Sequence, residues 1–341
     1  MKFTKISILT SILLTTLTMS ANAKAEGRLV VYCSAQNTVC EKAVQEFSKR
    51  YDVKTSFIRN SSGSTLAKIE AERANPQADV WYGGPFDSHL QASELGLLDA
   101  YTSPKLAEVL PQFQKLGNGY SSITYMGVLG FGVNTERLKK LGVTEIPKCW
   151  KDLLSPKFKN EIQIADPQSS GTAYTAISTF MQLWGEDEAF DYLKKLDHNI
   201  SQYPKAGTAP SRNTARGETT IGIGFLQNYS YEKEHGAPIE LVVPCEGTGY
   251  ELGGISVIKN ARNLKNAQLF ADWVMSKEAQ ELSWKEGESH HVPTNVNAEP
   301  SPFAQNPREL KLIDYDFDKF GSNEIRRHLI DKWVNEVKLA K

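Results

Sequence analysis

The sequence predicts an α/β protein of two lobes, each with a mostly parallel sheet covered by helices on both faces. Short apolar strands alternate with helical patterns at the spacing of strand–helix–strand units. The chain of 341 residues is long enough for two domains of ordinary size. Two long, glycine-punctuated apolar runs, 125–134 and 250–258, have the character of strands that cross between lobes.

In the first half, three strands are each followed by a small or hydroxyl-rich turn and then a helix. The strands are predicted at 28–32, 53–58 and 78–82, and the helices at 39–49, 66–73 and 86–95. Ligands of parallel α/β sheets bind at the carboxyl ends of strands. We therefore expect a binding crevice at these three turns.

The second half repeats the pattern and ends in helices. Strands are predicted at 163–165 and 220–224, and helices at 173–184, 186–196, 267–275 and 326–337. We expect residues 24–125 to form the first part of lobe 1 and residues 126–254 to form lobe 2. Residues 255–341 are expected to return to lobe 1 and to supply the C-terminal helices.

The first 23 residues are typical of a secretory leader. Lys2 and Lys5 precede an apolar, hydroxyl-rich stretch at 6–19, and Ala-Asn-Ala at 21–23 provides small residues for cleavage. An uncleaved anchor is disfavoured because the apolar stretch is too short to span a hydrocarbon layer of about 30 Å comfortably. We expect cleavage after Ala23 and a soluble mature protein in the periplasm.

The charge of the chain argues against a nucleic-acid partner. The formal net charge is −1, and removing the two leader lysines leaves −3. Such a chain has no basic excess to track a phosphate backbone or an anionic membrane.

Four cysteines in an exported chain permit two disulfides in three possible pairings. We predict Cys33 with Cys40, which closes a short loop after the first strand, and Cys149 with Cys245, which joins distant parts of one lobe. A metal site is disfavoured because the chain has no Cys-x-x-Cys and no Cys/His cluster at zinc spacing.

Several blocks in a fixed order carry a family resemblance. They are VVYCSAQN (30–37), ADVWYGGPFD (78–87), PQSSGTAY (167–174), APSRNTARGE (209–218), IGIGFLQN (221–228) and EGTGYELGG (246–254). Together they resemble the ferric-ion-binding subgroup of type II periplasmic binding proteins, and within it the hexose-phosphate-binding members. The resemblance implies two α/β lobes with a ligand cleft between them and β-strand hinges. It also implies a monomeric, cofactor-free, non-enzymatic receptor that delivers its ligand to an ABC permease and its ATPase.

The chain departs from the iron-binding pattern at each ligand position. The resemblance implies a His after the first strand, a Glu after the third and two adjacent tyrosines at a late strand end. Here the first turn (33–37) has no His, the third (82–85) has no Glu, and Ser230 separates Tyr229 from Tyr231. Ferric ion needs several anionic oxygen ligands to offset its charge. Iron is therefore disfavoured, although it stays the first alternative.

Two hydroxyl clusters at predicted helix starts indicate an anion site. One consists of Ser61, Ser62, Ser64 and Thr65, and the other of Ser169, Ser170, Gly171 and Thr172. Free amides and the positive dipole end of a helix N-terminus favour a phosphate. The resemblance points the same way, because iron-binding relatives grip a phosphate-like anion with the Ser-Gly turn that matches Ser170, Gly171 and Thr172. A single cluster of this kind would more often be an ordinary helix cap, but two clusters at strand ends of opposite lobes favour binding.

Further candidates complete the predicted site: Ser34, Asn37, Gly84, Asn228, Tyr229 and Glu251. We expect the Glu251 carboxylate to accept sugar hydroxyls and to repel a second anion, with Asp87, Asp197 and His198 as weaker acceptors. His290 and His291 are interpreted as part of a surface or interlobe loop.

The predicted ligand is a hexose phosphate such as glucose 6-phosphate. The alternatives are ferric ion, another small organophosphate or phosphonate, and, last, a periplasmic phosphatase activity. A phosphatase would need a nucleophile with a base or paired metals, and the sequence offers neither pattern.

Overall fold

The computed structural model describes residues 27–339, so the predicted leader lies outside the described residues. The strands are β1 (Arg28–Cys33), β2 (Lys54–Arg59), β3 (Val80–Pro85), β4 (Leu98–Asp99), β5 (Ser121–Asn134), β6 (Ile162–Gln163), β7 (Ile200–Gln202), β8 (Ile221–Phe225), β9 (Ile239–Val242), β10 (Tyr250–Ile258) and β11 (Val292–Pro293). The α-helices are α1 (Asn37–Tyr51), α2 (Ser62–Ala71), α3 (Phe86–Glu94), α4 (Thr135–Lys140), α5 (Gly171–Trp184), α6 (Glu186–Asp197), α7 (Ala209–Ala215), α8 (Leu226–Glu234), α9 (Leu264–Val274), α10 (Lys277–Lys285), α11 (Phe317–Phe320) and α12 (Asn323–Trp333), and a π-helical turn follows at Val334–Lys338.

The strands follow the order β2-β1-β3-β10-β5-β8-β6-β7. β1 pairs in parallel with β2 and β3, and β6 pairs in parallel with β7 and β8. We call the half around β1–β3 the first lobe and the half around β6–β8 the second lobe. The centre of the order is antiparallel, because β10 runs against both β3 and β5. The prediction of a mostly parallel sheet therefore holds for the two flanks and is wrong for the middle.

β5 belongs to both lobes. Its first part pairs with β10, from Ser121 opposite Ser256 to Val128 opposite Tyr250. Its second part pairs with β8, from Leu129 opposite Phe225 to Val133 opposite Ile221. The predicted crossing at 125–134 is confirmed. β10 reaches the same junction at Tyr250, so the two long strands meet where the lobes meet.

Each lobe has its own buried core. Phe47, Val80 and Phe270 belong to the core of the first lobe, and Phe131 and Phe180 to that of the second. α12 and the π-helical turn add Leu329, Trp333 and Val337 to the second of these cores. The lobe boundaries at 125 and 254 stay a prediction, and we propose that the return to lobe 1 ends before α12.

Both predicted disulfides are confirmed. Cys33 bonds to Cys40 and ties the end of β1 to α1, and Cys149 bonds to Cys245 across a separation of 96 residues. Within residues 27–339, no helix is both long and apolar enough to cross a bilayer.

Candidate ligand-binding cleft

A narrow cavity lies between the two lobes, and its free space of about 380 Å³ includes solvent at its open mouth. Predicted site residues supply part of its wall: Ser34, Ser61, Ser62, Ser170, Gly171, Thr172, Asn228 and Glu251. The remaining wall consists of Ala35, Gln36, Arg59, Pro85, Tyr125, Gly207, Thr208, Phe225, Gln227 and His291. The turns after β1, β2 and β3 all contribute, as the strand-end argument predicts.

The first-lobe wall of the cavity is the N-terminus of α2. This helix begins at Ser62, four residues before the predicted start, so most of the hydroxyl cluster lies in its first turn. Ser61 stands at the N-cap and makes no capping hydrogen bond through its side chain. The amides of Ser62 and Gly63 occupy positions that have no partner within a helix. This turn therefore presents unused donors to the cavity.

The second-lobe wall is the N-terminus of α5. Ser170 is fully buried at the N-cap, and its Oγ accepts a hydrogen bond from the Ala173 amide at 3.4 Å. The amides of Gly171 and Thr172 have no partner within the helix. Ser170 thus acts as a cap, and its neighbours supply the free donors.

The two helix N-termini contact each other, and Gly171 makes the contact possible. A Cβ on Gly171 would lie 2.9 Å from Pro85 Cδ and 3.0 Å from Ser62 Cβ, closer than such atoms normally approach. The Ser64 amide donates to the Ser169 carbonyl at 3.3 Å across the same junction. The cleft is closed in this structure.

Two more hydrogen bonds cross between the lobes at the other side of the cavity. Gln36 Nε2 donates to Asn228 Oδ1 at 2.6 Å. His290 Nε2 lies 2.9 Å from Glu234 Oε2, and its Nδ1 lies 2.7 Å from Ser301 Oγ. The interpretation of His290 as an interlobe residue fits this contact, and the surface alternative is wrong because its side chain is buried.

Arg59 is the cation of the cavity, and the sequence reasoning missed it. It is the last residue of β2, is half-buried and donates from Nε to the Ala35 carbonyl at 3.1 Å. Burial and then the nearby Arg212 lower its pKa. The prediction that the site offers only uncharged hydrogen-bond donors is therefore incomplete. The sequence could have indicated Arg59 as a site residue, because it directly follows the predicted strand 53–58 at the carboxyl end of that strand.

At the far end of the cavity, Glu251 pairs with Gln227. Gln227 Nε2 donates to Glu251 Oε1 at 2.7 Å, and Glu251 is 4% exposed. Burial raises the pKa of Glu251 to about 8. This shift favours the neutral carboxyl group near pH 7. The expected repulsion of a second anion stays a prediction. A neutral carboxyl can both donate and accept a hydrogen bond.

Two amide oxygens of the wall are buried without a hydrogen-bond partner. They are Gln36 Oε1 and Gln227 Oε1. An unpaired buried acceptor costs about 1–3 kcal/mol.

His291 and Tyr125 form the aromatic part of the wall. Their rings stack with centroids 3.8 Å apart, and the Tyr125 hydroxyl accepts from the Gly84 amide at 2.8 Å. His291 is 3% exposed, and burial lowers its pKa to about 3. His291 is therefore a neutral wall residue of the cleft, which fits the interlobe alternative and not the surface one.

Two predicted site residues support the wall from behind. Thr65 is buried, and its Oγ1 lies 3.1 Å from Ser34 Oγ, which also accepts from Trp81 Nε1 at 2.9 Å. Gly84 has a φ of +83°, and a Cβ there would collide with Ser34 and Ser62. These residues fix the serines and do not reach the cavity.

The other predicted residues lie elsewhere. Asn37 is exposed at the first position of α1, and Ser64 is exposed on the outer side of α2. Ser169 donates from Oγ to the Lys205 carbonyl at 2.9 Å. Tyr229 is 1% exposed and packs against Gly132 in the core.

The weaker acceptor candidates also miss the cavity. Asp197 and His198 border a different surface cavity beside Asn160. Asp87 is buried behind the site, where its Oδ2 accepts from the Tyr315 hydroxyl at 3.3 Å.

Comparison with known proteins gives consistent matches over most of the chain. The sequence profile of bacterial extracellular solute-binding proteins matches residues 75–319. An uncharacterized protein of Haemophilus influenzae is 62% identical over 346 residues, covering 100% of both chains.

Two solved structures share the fold and much of the sequence. The periplasmic binding protein AfuA of Actinobacillus pleuropneumoniae, with exogenous fructose-6-phosphate bound, is 64% identical at a TM-score of 0.90 and covers 92% of this chain and 99% of its own. The periplasmic binding protein P5PA is 54% identical at a TM-score of 0.89, covering 91% of this chain and 99% of its own. The resemblance seen in the sequence and the two-lobed α/β fold are confirmed.

Proposed function

Since this chain belongs to the bacterial extracellular solute-binding proteins and is a periplasmic binding component of an ABC importer, we propose that it captures a hexose phosphate such as glucose 6-phosphate. The observation that carries the proposal is the convergence of two helix N-termini, α2 and α5, on one end of a closed cleft. Its family consists of binding proteins, and its implied partners are the permease and its ATPase. That it acts as a monomer stays a prediction.

The phosphate end has the donors that a dianion requires. The free amides of Ser62, Gly63, Gly171 and Thr172 and the positive ends of two helix dipoles act on the same anion. Arg59 adds a full charge at the wall. Each hydrogen bond to a charged group contributes about 1.5–3 kcal/mol, so four to six of them support roughly micromolar or tighter binding after association costs.

The opposite end suits a polyhydroxylated ring. Its unpaired amide oxygens, on Gln36 and Gln227, accept from hydroxyl groups, and the neutral Glu251 carboxyl can donate or accept. Phe225 adds an apolar face to the same wall. The sugar-phosphate ligand in the AfuA structure supports this ligand class.

Ferric ion does not suit the donor set. Among residues 27–339, the one group of three or more His, Cys, Asp or Glu side chains at metal-binding distance is Cys149, Cys245 and Glu246, and its cysteines form a disulfide. Tyr229 is buried away from the cavity, and burial raises its pKa well above the ordinary value. The cavity therefore lacks the anionic oxygens that Fe³⁺ demands.

Calorimetry tests the proposal. We expect glucose 6-phosphate or fructose 6-phosphate to bind with micromolar or lower Kd, inorganic phosphate to bind more weakly, and glucose to bind weakest. Tight binding of glucose without its phosphate, or a coloured complex with ferric citrate, would contradict the proposed ligand class.

A further inference from the structure

A buried arginine lies directly behind the phosphate end of the cleft. Arg326, on α12, is 7% exposed, and its Nη1 has no hydrogen-bond partner. Its guanidinium stacks on the ring of Tyr174, with Cζ 4.7 Å from the ring centroid. Within residues 27–339, no carboxylate lies within the 4.0 Å that defines an ion pair with it.

The guanidinium lies against Gly63 at the start of α2 and over Tyr174 in the first turn of α5. A Cβ on Gly63 would lie 2.8 Å from Arg326 Nη2 and 2.9 Å from the Gln168 carbonyl oxygen. Gly63 follows the cavity residue Ser62, and Gln168 belongs to the turn that leads into Ser170. Arg326 thus lies one residue behind the cavity residue Ser62. Gly63 also approaches the Gln168 carbonyl of the other lobe, so its position beside Arg326 is part of the closed arrangement.

A buried cation without an ion-pair partner is costly. Its desolvation costs several kcal/mol unless a nearby negative charge compensates it. Burial lowers the pKa of Arg326, whereas Tyr174, Asp87 and Tyr315 raise it. Asp87 compensates only in part, since burial raises its own pKa to about 7. A bound dianion at Ser62 and Gly171 would supply the missing charge.

We propose, on the basis of the proposed phosphate ligand, that Arg326 is a positioning residue that makes the closed cleft selective for a doubly charged anion. It places a positive charge behind both helix N-termini and does not touch the ligand. The C-terminal segment reinforces the same turn, because Lys338 Nζ lies 2.7 Å from Asp166 Oδ2 and 2.8 Å from Gln168 Oε1. The C-terminal helix is therefore part of the anion site.

Selectivity between two ligands separates this role from a structural one. Glucose 6-sulfate carries one permanent charge, whereas a phosphate monoester becomes a dianion above a pKa of about 6. We expect Arg326→Gln to lower the phosphate-to-sulfate affinity ratio at pH 7.5 by about tenfold or more, the effect of losing one close charge interaction. Arg326→Lys should restore most of the ratio. The matched control is Arg327→Gln, because Arg327 is exposed on the same helix and loses the same charge.

The pH profile gives a second readout. Wild-type affinity for glucose 6-phosphate should rise about tenfold from pH 5 to pH 7 as the dianion forms, and Arg326→Gln should flatten this rise. The titrating groups facing Arg326 are Asp87 on α3, Tyr174 on α5 and Tyr315 before α11. The pH dependence of glucose 6-sulfate affinity measures the contribution of these three protein groups, since the charge of the sulfate itself does not change over this range.

Asp87→Asn tests the effect of the Arg326 charge without replacing Arg326 itself. Removing the partly compensating carboxyl should raise the phosphate-to-sulfate ratio at pH 8, where Asp87 is mostly ionised. This variant keeps the proposal testable if Arg326→Gln fails to fold.

The outcomes separate the two levels of inference. If wild-type protein prefers glucose to its phosphate, the proposed function fails. If wild-type protein prefers the phosphate but Arg326→Gln keeps the wild-type ratio, or Asp87→Asn leaves it unchanged, the role of Arg326 is overturned and the proposed function stands.

Discussion

In the proposed binding mode, the two ends of the cleft recognise a ligand by different means. At the phosphate end, the donors are backbone amides at the starts of α2 and α5, so the fold itself supplies them. At the sugar end, the groups are side chains, and Gln227 and Glu251 pair across the cavity. A single substitution can therefore alter the choice of sugar, whereas the anion preference is fixed by how the helices begin.

Closure of the phosphate end gives the largest expected effect. Gly171→Ala places a methyl group against Pro85 and Ser62, and such overpacking costs roughly 1–3 kcal/mol, or up to about 100-fold in affinity. The matched control is Gly224→Ala, where the new Cβ lies 3.6 Å or more from its neighbours. Calorimetry measures the affinity, and small-angle scattering measures the ligand-induced compaction. If Gly171→Ala keeps the wild-type compaction and affinity, the proposed role of Gly171 in closing the cleft is contradicted.

Replacing each of the two serines at the phosphate end should change affinity and stability to different extents. Ser62→Ala removes a hydroxyl from the cavity and should weaken phosphate binding by about 1.5–3 kcal/mol with little change in Tm. Ser170→Ala removes a helix cap and should cost about 1 kcal/mol of unfolding free energy, with a smaller loss of affinity. Calorimetry and thermal denaturation of both variants provide the comparison. Equal effects on both quantities would show that the two turns share one role.

At the sugar end, the expected effect is a difference in stability that grows between pH 4.5 and about pH 8 and is level above that. Folding raises the pKa of Glu251 from 4.5 to about 8, so its contribution to stability is full below 4.5 and is lost as the pH rises towards 8. Glu251→Gln removes this dependence, and its Tm relative to wild type should rise between pH 5 and pH 9. Because the charge of Asp87 also raises the pKa of Glu251, both proteins are compared in an Asp87→Asn background. If the Tm values of the two proteins change in parallel with pH, Glu251 is more exposed to solvent than the structure shows.

The phosphate end was predictable because its signals are local. Hydroxyl clusters after strands 53–58 and 163–165 mark helix starts, and contact between the two lobes brings these starts together. The boundaries were less accurate, since α2 begins at Ser62 and takes most of its cluster into the first turn.

The sugar end was predicted only in part, because Glu251 and Asn228 were named from the sequence whereas Gln227 was not. Gln227, Glu251 and His291 lie far apart in sequence, and the antiparallel register of β5 and β10 together with the loop after α10 brings them together. For Tyr229 the prediction failed in the opposite way. It was expected in the cleft beside Asn228, but its side chain is buried in the core. Arg326 was read only as part of an amphipathic helix, and its place behind Gly63 depends on tertiary packing.

A crystal structure of the protein grown with glucose 6-phosphate tests the central claim most directly. We predict a phosphoryl group within hydrogen-bond distance of the Ser62 and Gly171 amides, with sugar hydroxyls towards Gln227 and Glu251. A cleft that instead holds a cation coordinated by side chains, with no phosphoryl group near these two amides, would contradict the account.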